Sequence, residues 1–383
     1  MAYRDMAQQP RAGETGMAEG LFDLNGNPGS APFQRLGFTA KGGEFFGIWI
    51  VNILLSVITL GIYTAWATVR ERKYFAGHTI ILGDPLVYHA RGLQIFIGRL
   101  IFVFIALLPA IFVNLGQFSP ESTTALLNMA GLTYVIFLFL IPWFLNRSIR
   151  FNHRMTSWRT VRFDWKGTYW GTFGVVILMP IIASISLGLL APLAHRMSMR
   201  YFVNRSRFGA LNFVPSDQLR QWYFAYLVVL LPVFLAVFVL VFGLAYSMTA
   251  AQASGFGLNG SMLLIIAIVY LAIPFALLLL VPMTRNILVR GVSMYLRDGQ
   301  PLAKFDSTIK PLSYLGKALL MYILSAITLG LALPWALVAL RRMLTENTHI
   351  ATIADPEALV GEMKQGQLEY ETDFDIGGFD FGL

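Results

Sequence analysis

Seven apolar segments punctuate this chain, and none of them carries an aspartate or a glutamate in its interior. Four have the roughly 20 apolar residues that a membrane-crossing helix requires: Leu93–Gly116, Leu126–Leu145, Trp222–Met248 and Ser261–Met283. They pair into two hairpins. The connection Gln117–Ala125 holds one acid and no base, and Thr249–Gly260 holds no charge. Bases gather instead at the hairpin exits, as Arg147, Arg150, Arg154, Arg159 and Arg162 after the first and Arg285, Arg290 and Arg297 after the second. Membrane insertion retains basic flanks on the cytoplasmic side, which places both short connections outside. A water-soluble alternative fails on charge: only 13% of residues are charged, against about 25% in soluble chains. Residues 1–34 have no signal-peptide core and read as a disordered cytoplasmic tail.

The other three segments, Phe45–Val69, Tyr169–Ala194 and Leu315–Leu340, resemble one another. Each follows an aromatic and polar lead-in (Phe38-Thr39, Phe163-Asp164, Phe305-Asp306) and contains a small hydroxyl residue, leucine and glycine in series. The triplets are Thr59-Leu60-Gly61, Ser186-Leu187-Gly188 and Thr328-Leu329-Gly330. Behind them come Ala65-Trp66-Ala67, Pro192-Leu193-Ala194 and Pro334-Trp335-Ala336, then a base twelve residues past the glycine: Lys73, Arg200 and Arg342. The long hairpins repeat too, sharing Leu-Leu-Pro and an exit with Asn146 and Arg150 in one and Asn286 and Arg290 in the other. With A for the short segments and B for the hairpins, the order is A-B-A-B-A. The boundaries are 38–92, 93–158, 159–216, 217–300 and 301–350, a repeated membrane domain over 35–344 followed by an acidic tail from 345 to 383. Internal repeats of this kind recur in membrane transport folds.

If each A segment crosses once, the basic loops 146–166 and 195–220 fall on opposite sides. If each enters and returns, every basic loop is cytoplasmic. The charge pattern favours re-entry, with Gly61, Gly188 and Gly330 as breaking points and Pro192 and Pro334 opening the return helices. Seven crossings stay open, because Tyr169–Gly188 alone is long enough to span. The runs Thr79-Ile80-Ile81-Leu82 and Leu86-Val87-Tyr88 around Gly83-Asp84-Pro85, with Thr160-Val161-Arg162-Phe163, predict small cytoplasmic β elements. The expected fold is therefore an all-α polytopic bundle with such elements beneath it.

The run Gly42-Gly43-Glu44-Phe45-Phe46, the stretch Thr59-Leu60-Gly61-Ile62-Tyr63 with Trp66-Ala67, and Arg72-Lys73-Tyr74-Phe75 resemble the signature of the bacterial YjgN-like inner-membrane family. The ending Asp373-Phe374-Asp375-Ile376-Gly377 resembles that family's acidic C-terminus. The likeness covers about 35–383 and implies an inner-membrane location and fold; the family is a domain of unknown function and supplies no activity. The middle repeat departs from the pattern at Leu193, where its siblings have tryptophan.

Chemistry-bearing motifs are sparse. There is no Walker-type phosphate loop, no cysteine, and the five histidines are scattered, so no cofactor, metal site or enzymatic activity is expected. The absence of buried carboxylates weakens proton- or sodium-coupled transport. Arg99, seven residues into its segment, reads as a snorkelling cation or an anion contact. The stripe Asn52, Ser56 and Thr59 reads as helix glue or as a cavity lining. Asn146/Arg150 and Asn286/Arg290 read as surface anchors or as headgroup pockets, since an arginine fork matches phosphate oxygens. The tail holds nine acids against one base, which leaves the rest of a +8 chain at +16. Flanking apolar spans, those cations favour anionic headgroups over nucleic acid as partners. Two functions follow: transport, channel or lipid handling of an anionic or amphipathic molecule, or a non-catalytic scaffold that binds a protein partner through cytoplasmic tails.

Overall fold

The chain alternates helical hairpins with β-hairpins. A computed structural model describes residues 32–118, 123–254, 276–295, 301–352 and 360. After strands β1 (Gln34–Arg35) and β2 (Gly37–Phe38) comes the pair α1 (Gly42–Ile58) and α2 (Thr64–Gly77). Strands β3 (Thr79–Ile81) and β4 (Asp84–Tyr88) lead to the long pair α3 (Gly92–Phe118) and α4 (Thr123–Arg154). Next are β5 (Thr156–Trp158), β6 (Val161–Trp165), α5 (Tyr169–Ile185, π-helical over Gly174–Leu178) and α6 (Ala191–Arg205). Strands β7 (Ser206–Phe208) and β8 (Leu211–Pro215) precede α7 (Leu219–Ser254) and α8 (residues 276–290). The chain closes with β9 (Val292–Tyr295), β10 (Pro301–Ser307), α9 (Pro311–Ile327), α10 (Leu333–Glu346) and β11 (Thr348–Thr352).

The three triplets make the sharp turns of the short pairs by one repeated device. Leu60 and Gly61 both take left-handed backbone angles (φ 50° and 90°), as do Leu187/Gly188 (52°, 86°) and Leu329/Gly330 (50°, 92°). Glycine accepts that region freely; leucine does so at a cost of about 1–3 kcal/mol. The triplet's hydroxyl offsets part of that strain by bonding both helices. Thr59 donates to the Leu55 carbonyl at 2.7 Å and accepts from the Tyr63 N–H at 3.0 Å. Ser186 does the same with Ala183 and Leu190, and Thr328 with Leu324 and Ala332. The glycine N–H groups reach carbonyls five residues back, at Ser56, Ala183 and Ser325, satisfying groups that a helix end leaves open.

Each tip thus presents a strained leucine to its surroundings, with Leu60, Leu187 and Leu329 being 93%, 89% and 95% exposed. Leading helices of 17 residues are about 25 Å long, short of the roughly 30 Å hydrocarbon layer. The return helix α2 brings charge back at Arg70 and Glu71, within two turns. Each of these pairs leaves the sheet and returns to it. Among the described residues, three helical stretches are long and apolar enough to cross: Gly92–Leu115, Thr124–Arg154 and Leu219–Gly243. The fourth expected crossing, Ser261–Met283, falls mostly outside the described residues.

The strands overturn the all-α expectation. All eleven belong to a single antiparallel sheet of order β1-β11-β10-β9-β8-β7-β6-β5-β4-β3-β2. Its two end strands, β1 and β2, are separated in the chain by Leu36 alone. On one side Gln34 pairs with Ile350; on the other Phe38 pairs with Thr79, and the Leu36 N–H donates to the Thr348 carbonyl at 3.0 Å. The sheet nearly closes into a barrel, which leaves little edge exposed to foreign strands. Its interior is aromatic and aliphatic, built on Trp158, Val161, Phe208, Leu211, Met294 and Ile350, with Val360 packed against the same cluster. A cavity of about 160 Å³ with a wholly apolar lining remains within.

Both ends of every described helical pair return to this sheet, so a bilayer holding the long helices leaves the whole barrel on one side. Seven alternating crossings do not fit such a ring. A nitrobenzoxadiazole probe on Leu60→Cys, Leu187→Cys or Leu329→Cys should emit in the blue-shifted range and be quenched by brominated lipid. Water-like emission at all three would remove the tips from the membrane.

Candidate functional site at the helix–barrel junctions

Where a strand gives way to a helix, the chain must expose a carbonyl just before the first helical turn. Two residues ahead of the helix starts stand Ala40, Ala90, Gly167, Asp217 and Ile309. Four of these carbonyls are held by a side chain of the preceding helix around the ring. Arg342 donates to Ala40 at 2.6 Å, Arg150 to Gly167 at 3.4 Å, Arg196 to Asp217 at 3.0 Å and Asn286 to Ile309 at 2.7 Å. At the remaining junction Arg72 bonds the Tyr88 hydroxyl at 2.9 Å and the side-chain amide oxygen of Asn152. Arg150 also reaches the Trp165 carbonyl at 3.4 Å, and Arg290 the Ser307 carbonyl at 2.8 Å. Asn146 accepts from the Thr172 hydroxyl at 2.8 Å. Arg150 therefore fastens backbone at one junction and Asn286 with Arg290 at another, while Asn146 holds the Thr172 side chain.

Packing repeats around the same ring. Trp66 lies over Gly92 and Trp335 over Gly42, the first residues of the helices that follow; a Cβ on either glycine would collide with the indole. Pro192 and Pro334 sit in the first turns of α6 and α10. Tyr74 closes the base of its own hairpin, its hydroxyl accepting from the Lys41 N–H and donating to the Lys41 carbonyl, both at 3.0 Å. Tyr201 does this at Thr168, at 2.9 and 3.0 Å. The third copy has Met343 there and makes no such pair of bonds. Histidines join as struts: His89 to Ser157 at 2.7 Å, His153 to Ser206 at 3.1 Å and His195 to the Tyr226 hydroxyl at 2.8 Å.

A broad opening lies where α7, α8 and the start of α9 meet. It is a cavity of about 580 Å³ lined by Asp217, Arg220, Asn286 and Arg290 on its polar side and by Phe224 and Ile287 among its apolar residues. The Asp217 side chain is fully buried and its charge is compensated. Arg196 stands 2.6 Å and Arg200 3.8 Å from its oxygens, and the Trp222 indole donates at 2.7 Å. Asp306 lies 3.5 Å from Arg290. The surplus charge of this neighbourhood is positive.

A family model described as a bacterial protein of unknown function, DUF898, matches residues 33–370. The chain belongs to that family. The matched range takes in every strand and helix described above, so the DUF898 unit is the barrel together with its hairpins. The inner membrane protein YjgN of Salmonella typhimurium is 24% identical over 378 residues, covering 86% of this chain and 92% of its own. YjgN of Escherichia coli O157:H7 is 24% identical over 388 residues, covering 88% and 94%. The K12 form is 28% identical over 171 residues, covering 45% and 41%. No solved structure matches. The YjgN-like resemblance is borne out, and the relatives' inner-membrane naming agrees with the three long apolar helices of this DUF898 member.

Of the residues singled out from the sequence of this DUF898 chain, only Asn286 and Arg290 line the large cavity. Lys73, Arg200 and Arg342 belong to three different junctions and do not converge. Arg99 points to a different neighbour, bonding the Thr64 hydroxyl at 3.2 Å and the Thr68 hydroxyl at 2.8 Å on the return helix α2. Sequence reasoning passed over Asp217 and Arg220. A lone acid within the basic loop 195–220 was the available signal for Asp217; nothing in the spacing marked Arg220. Tyr201→Phe, which removes two bonds to Thr168 and a third to the Thr172 hydroxyl at 3.2 Å, should cost about 1–2 kcal/mol in detergent unfolding, whereas Met343→Phe stays within about 0.5 kcal/mol. Equal losses would deny the tyrosine its role at the hairpin base.

Proposed function

We propose that this inner-membrane protein binds a phosphate-bearing amphipath at its cytoplasmic face, in lipid handling or transport. The observation that carries the reading is the cavity beside α7, whose two walls suit the two halves of such a molecule. Arg220, Arg290 and Asn286 offer charged and neutral donors at the depth where the long hairpin joins the barrel. Phe224, Met283 and Ile287 continue the wall toward the apolar helices. Arginine matches phosphate oxygens with a planar fork of donors, and partial removal from water strengthens such pairs.

The wider face supports the same sign of ligand. Burial, followed by the nearby Arg162 and Lys73, holds the His89 imidazole below its ordinary range, as expected in a positive field. The positive-inside rule orients the barrel toward the cytoplasm. A polar pore through the barrel does not fit its interior, where Trp158, Phe208 and Leu211 belong to one buried apolar cluster. A scaffold acting through the tails rests on residues outside the described ones, apart from 32–34, 345–352 and 360.

Arg220 gives the cleanest test, since its side chain is exposed and clamps no junction. Arg220→Ala should lower retention of phosphatidylglycerol in native mass spectrometry by about tenfold, the loss of one charge-assisted contact. Arg220→Lys should restore only part of it. Undiminished retention in the alanine variant, with normal folding, would refute the site.

A further inference from the structure

Between the two legs of the first short hairpin runs a groove of about 480 Å³ that the barrel does not need. Asn52, Ser56, Thr64, Thr68 and Glu71 line it, with Trp49 and Val57 among its apolar walls. Asn52 is only 8% exposed, yet its amide oxygen has no hydrogen-bond partner. Its amide nitrogen makes a single long contact of 3.5 Å to the Ala67 carbonyl. Leaving a buried acceptor unpaired costs about 1–3 kcal/mol, which a purely structural position has no reason to retain.

The hydroxyls around it have already spent their protons. Ser56 donates to the Asn52 carbonyl at 2.6 Å, Thr64 to the Gly61 carbonyl at 2.6 Å and Thr68 to the Thr64 carbonyl at 2.8 Å. What the groove offers is therefore a set of oxygen acceptors with the Glu71 carboxylate at one end, one of whose oxygens lies 3.6 Å from Arg341 and the other of which is open to a ligand. Behind it stands the Arg99 guanidinium, fixed by Thr64 and Thr68 and retaining further donors. Acceptors and a carboxylate suit a primary ammonium; the guanidinium suits a phosphate. Thr68 and Glu71 are one helical turn apart, about 5 Å, close to the reach between the two charges of a phosphate ester of a short amino alcohol.

The other repeats serve as internal controls. Counted from the triplet, the place of Asn52 is taken by Met179 and Met321, that of Thr64 by Ala191 and Leu333, and that of Glu71 by Ser198 and Leu340. Those copies fold into the same hairpin with Asn52, Thr64 and Glu71 replaced, although Ser325 keeps the place of Ser56 in the third. The contact that Arg99 makes with Thr68 is replaced in the second copy by the neutral pair of Tyr226 and His195. The polar groove is thus a property of the first hairpin alone, and it is separate from the cavity beside α7.

We propose that this groove binds the zwitterionic headgroup of an ethanolamine phospholipid, its ammonium toward Asn52 and Glu71 and its phosphate toward Arg99. A lipid is the occupant because the groove's wall runs on to an exposed apolar tip, where Val57 is 69% and Ile58 75% exposed. The test uses full-length protein in nanodiscs of mixed phosphatidylethanolamine and phosphatidylglycerol, released into native mass spectrometry. Asn52→Met, which installs the residue of the other two copies, and Arg99→Tyr, the second copy's choice, should each cut ethanolamine-lipid adducts at least fivefold. Phosphatidylglycerol adducts, which depend on Arg220, should remain. Ethanolamine-lipid retention unchanged in Asn52→Met, a variant with two folded precedents in this chain, would overturn the proposal. So would equal loss of both lipids, or saturable binding of free phosphoethanolamine with no lipid retained.

Discussion

Every described helical pair in this protein is rooted at both ends in one small, nearly closed sheet. Two to seven residues per strand give each individual pairing little strength, and an isolated β-hairpin is marginal in water. The ring succeeds because its strands bury one shared interior and because Gln34–Phe38 joins β11 to β3, tying the beginning of the described chain to its last strand. Once that junction is made, no helical pair can change sides without tearing the sheet. Topology follows from closure.

The cations that dominate the sequence divide into two kinds on this frame. Arg150, Arg196 and Arg342, with Asn286 as a neutral counterpart, turn inward to carbonyls at the strand–helix junctions, where a charged donor substitutes for an absent backbone partner. Arg220 faces an open cavity, Arg290 both lines that cavity and holds the Ser307 carbonyl, and Arg99 stands beside a groove of oxygen acceptors. The first kind sustains the ring; the second gives it somewhere to hold charged headgroups. Repetition makes the distinction visible, since a role shared by several copies belongs to the fold and a set confined to one copy calls for another reason.

Local chemistry was legible in the sequence and long-range pairing was not. The hydroxyl-leucine-glycine triplet announces a turn because all of its bonds lie within five residues, as at Thr59 and Gly61. The tryptophan pattern was half legible: Trp66 and Trp335 need Gly92 and Gly42 opposite them, and the copy with Leu193 is followed by a helix that begins at Leu219. Strands such as Thr79–Ile81 and Val161–Trp165 showed their β character but not their membership of one sheet, since the partner that closes it, β11, lies more than 300 residues from β1. The i, i+4 spacing of Asn146/Arg150 and Asn286/Arg290 told which side chains share a helix face. It could not tell that backbone carbonyls face Arg150, or that a cavity opens beside Arg290.

The most direct measurement of the central claim is side-specific labelling of single cysteines on or beside the barrel between successive helical pairs, the last of them in the final turn of α6. Pro85→Cys, Thr160→Cys and Asn204→Cys occupy exposed positions there. An impermeant maleimide should modify all three in inverted inner-membrane vesicles and none in spheroplasts. Labelling of position 160 from one side and position 204 from the other would mean that the third helical pair crosses the membrane once, and the single-sided ring would be wrong.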